Sequence, residues 1–245
     1  MKALAIIQAR MGSSRLPNKV MALIHGRPMV GQVIRRTKWA NLWHTMLAIP
    51  DTVENDALAY LADNMEVHCY RGAEQDLLGR TLGALDDCAS CDAVVRITGD
   101  CPMIDHWVIE QVVDKFAKGG FDYVSNVFPR RTYPAGIAVE VYSADLLRYL
   151  DKVIDTPRYR EYYMVWLWEH AGDFRIHNVE LAEDYSAMRW TVDEPADLDF
   201  VNAVYHALGW SQWGMKEVLE LLRQRPDIAA INAHIETDPL KGLSR

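Results

Sequence analysis

Four short apolar runs, at 3–8, 45–49, 66–70 and 93–97, alternate with amphipathic stretches at 29–40, 53–63 and 75–88. The runs are strand-length and the stretches helix-length. Their regular alternation predicts βαβ units and a parallel sheet covered by helices. In such sheets ligands bind beyond the C-terminal ends of the strands. Two segments fall at that edge. One is the loop 8–19 after the first run, and the other is Thr98-Gly99-Asp100 after the fourth.

The texture changes past Asp105, a good N-cap for a helix running to about Lys118 and ending at Gly119-Gly120. Strands are expected near 122–125, 137–142 and 174–179, with helices over 143–151 and 158–171. This mixed order predicts an inserted antiparallel layer. The doubly wound pattern resumes with Arg189-Trp190-Thr191-Val192 and a helix at 195–208, and helical pieces run to the end. No repeat or linker divides the chain. Its 245 residues suit a single domain, 1–245, with 121–188 as an excursion.

The formal net charge of −8 argues against a nucleic-acid partner, whose footprint is normally basic. It also means that a phosphate site must gather its cations locally. No leader precedes the first strand and no apolar run reaches the ~18 residues of a membrane span, so a cytoplasmic protein with no membrane partner is expected. Cys88 and Cys91 form a lone CxxC without a second ligand pair, which reads as buried or half-buried thiols. The eight histidines form no triad or metal pattern and read as structural or surface residues.

The loop QARMGSSRLPNK gathers such cations. Arg10, Arg15 and Lys19 supply positive charge, Ser13 and Ser14 supply hydroxyls, and Gly12 lets the backbone turn. This suits a nucleoside triphosphate, with guanidinium groups for bidentate grip and an ammonium as a point charge. The loop lacks both GxxxxGK[ST] and GxGxxG, so it is neither a Walker loop nor a dinucleotide fingerprint. A solvated basic loop is the plain alternative. Asp100 ends the run VVRITGD, and Asp193 follows RWTV and precedes Pro195. Either aspartate alone could be a cap or turn residue. Both together, opposite a triphosphate, suit Mg2+.

ARMGSSRLPNK, IHGRPMVGQVIRR at 24–36, TGDCPMID at 98–105 and RWTVDEPADLDFV at 189–201 resemble the cytidylyltransferase family, which includes CMP-Kdo synthetases and spore-coat polysaccharide F-type proteins. The order and spacing of all four segments are similar, and the spore-coat branch is the nearer one. The resemblance implies an α/β, three-layer, Rossmann-like nucleotide-diphospho-sugar transferase fold. It implies a nucleotidyltransferase that moves CMP from CTP to an acidic acceptor, Mg2+ as cofactor and a homodimer. Arg10, Ser13, Arg15 and Lys19 match the triphosphate positions, with Met11 and Gly12 in the same loop. Arg71 to Asp76 match the ribose and base segment, and Thr98 and Gly99 precede the nucleotide edge. Asp100 and Asp193 match the metal aspartates. Arg10, Lys19, Asp100 and Asp193 are thereby the expected catalytic set. Asn18 replaces a common glycine, Thr98 replaces the glutamine of CMP-Kdo synthetases, and Tyr162-Tyr163 stand where a histidine often follows Arg-Glu.

An acidic acceptor is expected to bind within 121–188, which is also the expected dimerisation subregion. Arg130, Arg131, Tyr133, Glu140, Arg158 and Arg160 are the candidates, with Glu161 beside them. Tyr159, Tyr162, Tyr163 and Trp166 fall at i, i+3, i+4 and i+7, the stripe of a buried helix face in a core or dimer contact. Two other readings remain open. A GT-A-like glycosyltransferase would use Asp100 for its metal, although the sequence offers Gly99-Asp100-Cys101 and not a DxD pair. A non-catalytic nucleotide-binding protein of the same fold is the other.

Overall fold

All six residues of β1, Ala3–Gln8, are buried. A strand apolar on both faces needs helices on both sides, and this one forms the middle of a sheet. β1 pairs in parallel with β4 (His44–Pro50) and with β6 (Ala93–Thr98). The computed structural model describes residues 1–88 and 90–236. β5 (His68–Gly72) continues the parallel pairing beyond β4. On the far side of β6 lie β8 (Glu140–Ser143), β7 (Tyr123–Ser125) and β9 (Ile176–Asn178). The seven-stranded order is β5-β4-β1-β6-β8-β7-β9. Only β8 runs against its neighbours, antiparallel to both β6 and β7, while β9 pairs in parallel with β7. The expected antiparallel insertion therefore takes the form of one strand set into the main sheet.

Side chains alternate across a strand, so each face of the sheet builds its own core. Ala5, Ile7, Val95 and Ile97 face one way. Over them pack α1 (Met29–Thr37), α2 (Asp56–Asn64), α4 (His106–Ala117), α8 (Pro195–Leu208), α9 (Met215–Gln224) and α10 (Pro226–Ala229). Leu4, Ile6, Val94 and Tyr142 face the other way. They meet α3 (Leu77–Asp87), α5 (Ala144–Val153) and α7 (Tyr163–Glu169). The result is a three-layer α/β fold. No described helix is long and apolar enough to cross a membrane.

Two local expectations are corrected, and one element is additional. The run 189–192 forms no strand; one isolated bridge joins Arg189 to Ala135. The aromatic stretch 158–171 is not one helix. α6 (Pro157–Glu161) and α7 are separated at Tyr162, whose φ of −121° and ψ of 52° break the helix. The four aromatic side chains still share one core cluster: Tyr163 is buried in it and Tyr159, Tyr162 and Trp166 pack partly buried against it, with Tyr162 also lining a cleft. A small hairpin, β2 (Leu23–Ile24) with β3 (Arg27–Pro28), was not expected. Its two-residue turn places His25 at φ 50° and Gly26 at φ 78°, the left-handed pair that a tight hairpin requires. Asp105 does cap α4, accepting from Trp107 N at 2.8 Å. Cys88 and Cys91 are buried free thiols in mutual contact. The C-terminal helical pieces are α9 and α10, and 237–245 lie outside the described residues.

Candidate active site

At the C-terminal edge of β1 and β6 the chain opens into a cleft of about 400 Å³, within the size range of small-molecule sites. The ends of the two strands meet closely there. Gly99 N donates to Gln8 O at 2.8 Å, and a Cβ on Gly99 would stand 2.8 Å from Ala9 Cβ. Glycine is needed for that approach, and it sets Asp100 at the rim of the sheet.

The segment carrying Asp193 reaches the same rim without belonging to the sheet. Val192 N donates to Asp100 O at 2.9 Å, and Trp190 N donates to Ala135 O at 2.6 Å. Gly136, at φ 104°, allows the close pass: a Cβ there would fall 2.5 Å from Thr191 N. Asp197 then fixes the turn. Its Oδ2 accepts from the backbone N of Asp193 and of Glu194, at 3.0 and 2.9 Å. Its carboxylate also holds Arg189, with Nε to Oδ1 at 2.9 Å.

Lys19 joins the two rims. Its Nζ donates to Asp100 Oδ2 at 2.8 Å, to Asp193 Oδ1 at 2.7 Å and to Val192 O at 2.9 Å. Asn18, just before it, adopts φ 57° and ψ 23°, left-handed geometry that asparagine tolerates in place of glycine. Burial alone would lower the Lys19 pKa, but the two carboxylates outweigh it and hold it above the ordinary value. Burial would likewise raise Asp100, and Lys19 instead holds it below the usual carboxylate range. Arg15 Nη2 lies 2.7 Å from Asp193 Oδ1, and Arg189 Nη2 lies 3.1 Å from Asp193 Oδ2. Arg10, Gly12, Ser13 and Ser14 line the same cleft, and Arg10 Nη1 reaches Glu161 Oε1 at 3.5 Å across its mouth.

The floor holds two guanidinium groups, Arg80 buried and Arg96 largely so. Arg96 donates from Nε to Gln8 Oε1 at 2.8 Å and pairs through Nη1 with Glu140 Oε1. Glu140 Oε2 also accepts from Tyr123 and Tyr142, at 2.9 and 2.5 Å. Burial opposes the Arg96 charge, yet Glu140 outweighs it and holds the pKa above the usual value. Arg80 differs. Its Nη1 donates to the carbonyls of Ala73 and Glu74, at 2.6 and 3.2 Å, but its buried Nε has no partner. It has no ion-pair partner among the described residues. Burial, and next the charge of Arg10, push its pKa down.

The expected site residues divide accordingly. Arg10, Gly12, Ser13, Arg15, Lys19, Thr98, Gly99, Asp100 and Asp193 line one cleft. Met11, Arg71 and Asp76 are outside its lining. Met11 N donates to Asn55 Oδ1 at 2.9 Å, and Arg71 is held by Asp51 and Asp56 at 2.9 and 2.8 Å. Asp76 caps α3 through Gly79 N at 2.7 Å and pairs with Arg160. None of the six acceptor candidates is among the described lining residues. Arg130 pairs with Asp184 at 3.2 Å, and Arg131 donates to Ser186 O at 3.0 Å. Tyr133 is buried in the core against Gln111. Glu140 is the counter-ion under the floor, Arg158 stacks on Tyr159, and Arg160 ties α6 to Asp76. Their place in the cleft wall is taken by Glu161, Tyr162 and Met164, the adjoining residues.

Arg80 and Arg96 were missed, whereas Glu74 falls within the expected segment 71–76 and Gln8 opens the expected loop 8–19. Arg96 had a signal, a lone cation inside the apolar run VVRIT. Arg80 had a weaker one, since Leu77, Arg80, Thr81 and Ala84 share one helical face.

A cytidylyltransferase family model matches residues 4–204. The spore coat polysaccharide biosynthesis protein SpsF of Bacillus subtilis is 26% identical over 235 residues, covering 92% of this chain and 96% of that one. A cytidylyltransferase from Leptospira borgpetersenii superposes with a TM-score of 0.89 at 27% identity, over 94% of this chain and 97% of that one. A CMP:2-keto-3-deoxy-manno-octonic acid synthetase solved with CTP shares the fold, with a TM-score of 0.66 at 19% identity over 85% of this chain and 100% of that one. The chain belongs to the cytidylyltransferase family and is a nucleotidyltransferase.

Proposed function

We propose that the enzyme transfers CMP from CTP to an anionic small molecule, through in-line attack of an acceptor oxygen on the α-phosphorus and release of pyrophosphate. The observation that carries this reading is the meeting of Arg10, Arg15 and Lys19 with Asp100 and Asp193 in one cleft. The cations suit phosphate oxygens, and the carboxylates suit a hard cation. The donor set fits Mg2+: Asp100 and Asp193 offer oxygens within reach of a single ammonium. Among the described residues no cluster of three His, Cys, Asp or Glu side chains could hold a metal by itself. Magnesium commonly binds through one or two carboxylates, with substrate phosphates and water completing the set. When bound, it neutralises phosphate charge during displacement.

The protein's own share is positioning and electrostatic stabilisation. Arg15 and Lys19 stabilise the departing pyrophosphate. Arg10, released from Glu161, grips the α- or β-phosphate. Tyr162 and Met164 wall the acceptor side. An anionic acceptor is supported by Arg80, whose buried guanidinium makes no ion pair among the described residues, unlike that of Arg96; Asp76 and Glu74 offset its charge only in part, and its pKa stays lowered. A sugar acid, a phosphonate and another carboxylate or phosphate metabolite all supply the missing anion. The reading includes a cytoplasmic homodimer formed through 121–188.

The test is pyrophosphate release with each of the four triphosphates against a panel of acidic and neutral acceptors. Release confined to CTP with an acidic acceptor is the expected result. Release of a nucleoside diphosphate from a nucleotide sugar would make the enzyme a glycosyltransferase. CTP binding without turnover on any acceptor would make it a nucleotide-binding protein.

A further inference from the structure

The Lys19 ammonium is saturated. An ammonium has three N–H donors, and these have three acceptors: Asp100 Oδ2, Asp193 Oδ1 and Val192 O, all within 2.9 Å. Only 11% of the side chain is exposed. Lys19 therefore cannot donate to a phosphate without giving up one of these bonds. The same carboxylate oxygens are the ones a divalent cation needs.

The surrounding charges sharpen the conflict. Asp193 is also held by Arg15 and Arg189, and Arg189 is shared with Asp197. Three carboxylates, Asp100, Asp193 and Asp197, face three cations, Arg15, Lys19 and Arg189, with Glu194 3.8 Å from Arg15 at the rim. Positive charge is already supplied. A free divalent cation would enter a nearly neutral cluster and meet Lys19 at its ligands.

We propose that Lys19 is a placeholder for the metal: it holds Asp100 and Asp193 together in the free enzyme, and the phosphates of the nucleotide draw it away so that a divalent cation can take both carboxylates. Metal and nucleotide then bind with positive coupling, each removing an obstacle to the other. Lys19 acts here as a positioning residue, keeping two segments from different parts of the chain in register before substrate arrives. The inference rests on the metal role proposed above for Asp100 and Asp193.

The test is Mn2+ binding to the full chain without nucleotide or acceptor, followed by electron paramagnetic resonance and calorimetry. Lys19→Met and Lys19→Gln are expected to bind Mn2+ about tenfold or more tightly than wild type, because a competing charge at hydrogen-bond distance is gone. Lys19→Arg, which keeps a cation, is expected to stay near wild type. Circular dichroism establishes that each variant is folded, and either neutral variant suffices if the other is not. Equal affinity in wild type and the neutral variants, whether tight or absent, overturns the placeholder role. Tight binding in Lys19→Met that survives the addition of Asp100→Asn or Asp193→Asn places the ion elsewhere, which overturns the metal assignment itself. Because no turnover is measured, failure of the CMP-transfer reading does not decide the outcome.

Discussion

Arg160 Nη2 lies 2.8 Å from Asp76 Oδ2, so the cleft-wall helix α6 is tied directly to the N-terminus of α3. Both residues were expected to touch ligands, one the acceptor and the other the nucleotide, and each instead holds the other. The pair is partly exposed, so its coupling should be modest, about 0.5–1 kcal/mol in a double-mutant cycle by urea denaturation. Asp76→Ala should cost roughly 1 kcal/mol more, because it also removes the cap on Gly79 N. Zero coupling would mean that the wall is held by other contacts.

Glu140→Ala should be the most damaging of the substitutions considered. It strips the buried Arg96 of its counter-ion and leaves the hydroxyls of Tyr123 and Tyr142 without their acceptor. Breaking such a pair from one side costs about 3–5 kcal/mol. Chemical denaturation measures this, and a loss under 1 kcal/mol would mean that solvent compensates Arg96.

Asp100→Asn should leave the fold standing and lower kcat by roughly 10²–10³, the scale of one lost electrostatic element. Steady-state pyrophosphate release gives the rate, and a thermal melt separates it from unfolding. Near-wild-type turnover would remove Asp100 from the catalytic set.

Stability should fall in acid partly through Asp197. Burial alone would raise its pKa, but Arg189, Asn232 and the amides of Asp193 and Glu194 outweigh this and hold it below the ordinary aspartate value. The stabilisation from its charged form is complete above the unfolded-state pKa of about 4, and is lost as pH falls through the lower folded value. Urea midpoints from pH 7 to pH 3 should show that decline. Asp197→Asn should lower the neutral plateau and flatten the acid limb. An unchanged acid limb would assign it to other carboxylates.

Tyr162→Ala should raise KM for the acceptor more than KM for CTP, since Tyr162 lines the cleft just after α6, on the wall proposed to face the acceptor. Initial rates with each substrate varied in turn provide the comparison. A larger effect on CTP would move the nucleotide to that wall.

The parallel half of the sheet was legible because β1, β4 and β6 are largely buried and read as mainly apolar runs between helices, and the exposed edge strand β5 continues the same spacing. The meeting of the loop 8–19, Asp100 and Asp193 in one cleft was legible because local patterns carry them: a strand or β-rich run, a turn, then charge. The residues expected around the acceptor fall outside the cleft lining for a different reason. Arg130 and Arg131 are charges in sequence, but their partners, Asp184 and the Ser186 carbonyl, lie more than fifty residues away, and nothing local announces that they are already engaged. The stripe through Tyr159 to Trp166 does reach the core, but two helices carry it instead of one, because of a backbone break at Tyr162 that periodicity does not report. Segment 189–192 looked like a strand because Trp190 and Val192 are buried, yet one bridge and a few backbone bonds hold it there.

The break at Tyr162 has a consequence for how such an enzyme diversifies. α6 contains no buried residue, and its Arg160 is moored by side-chain ties to Asp76 and Asp151 and by a bond to the Ile154 carbonyl. The opposite rim, with Gly99 and Asp100, is in contrast built into the ends of the central strands. Apart from Tyr159 and Tyr162, which pack against the core, substitutions across 157–162 can reshape one side of the cleft without a compensating change in the core. Descendants of one ancestral fold could thus exchange acceptors through a handful of surface mutations while the nucleotide half stays as it is.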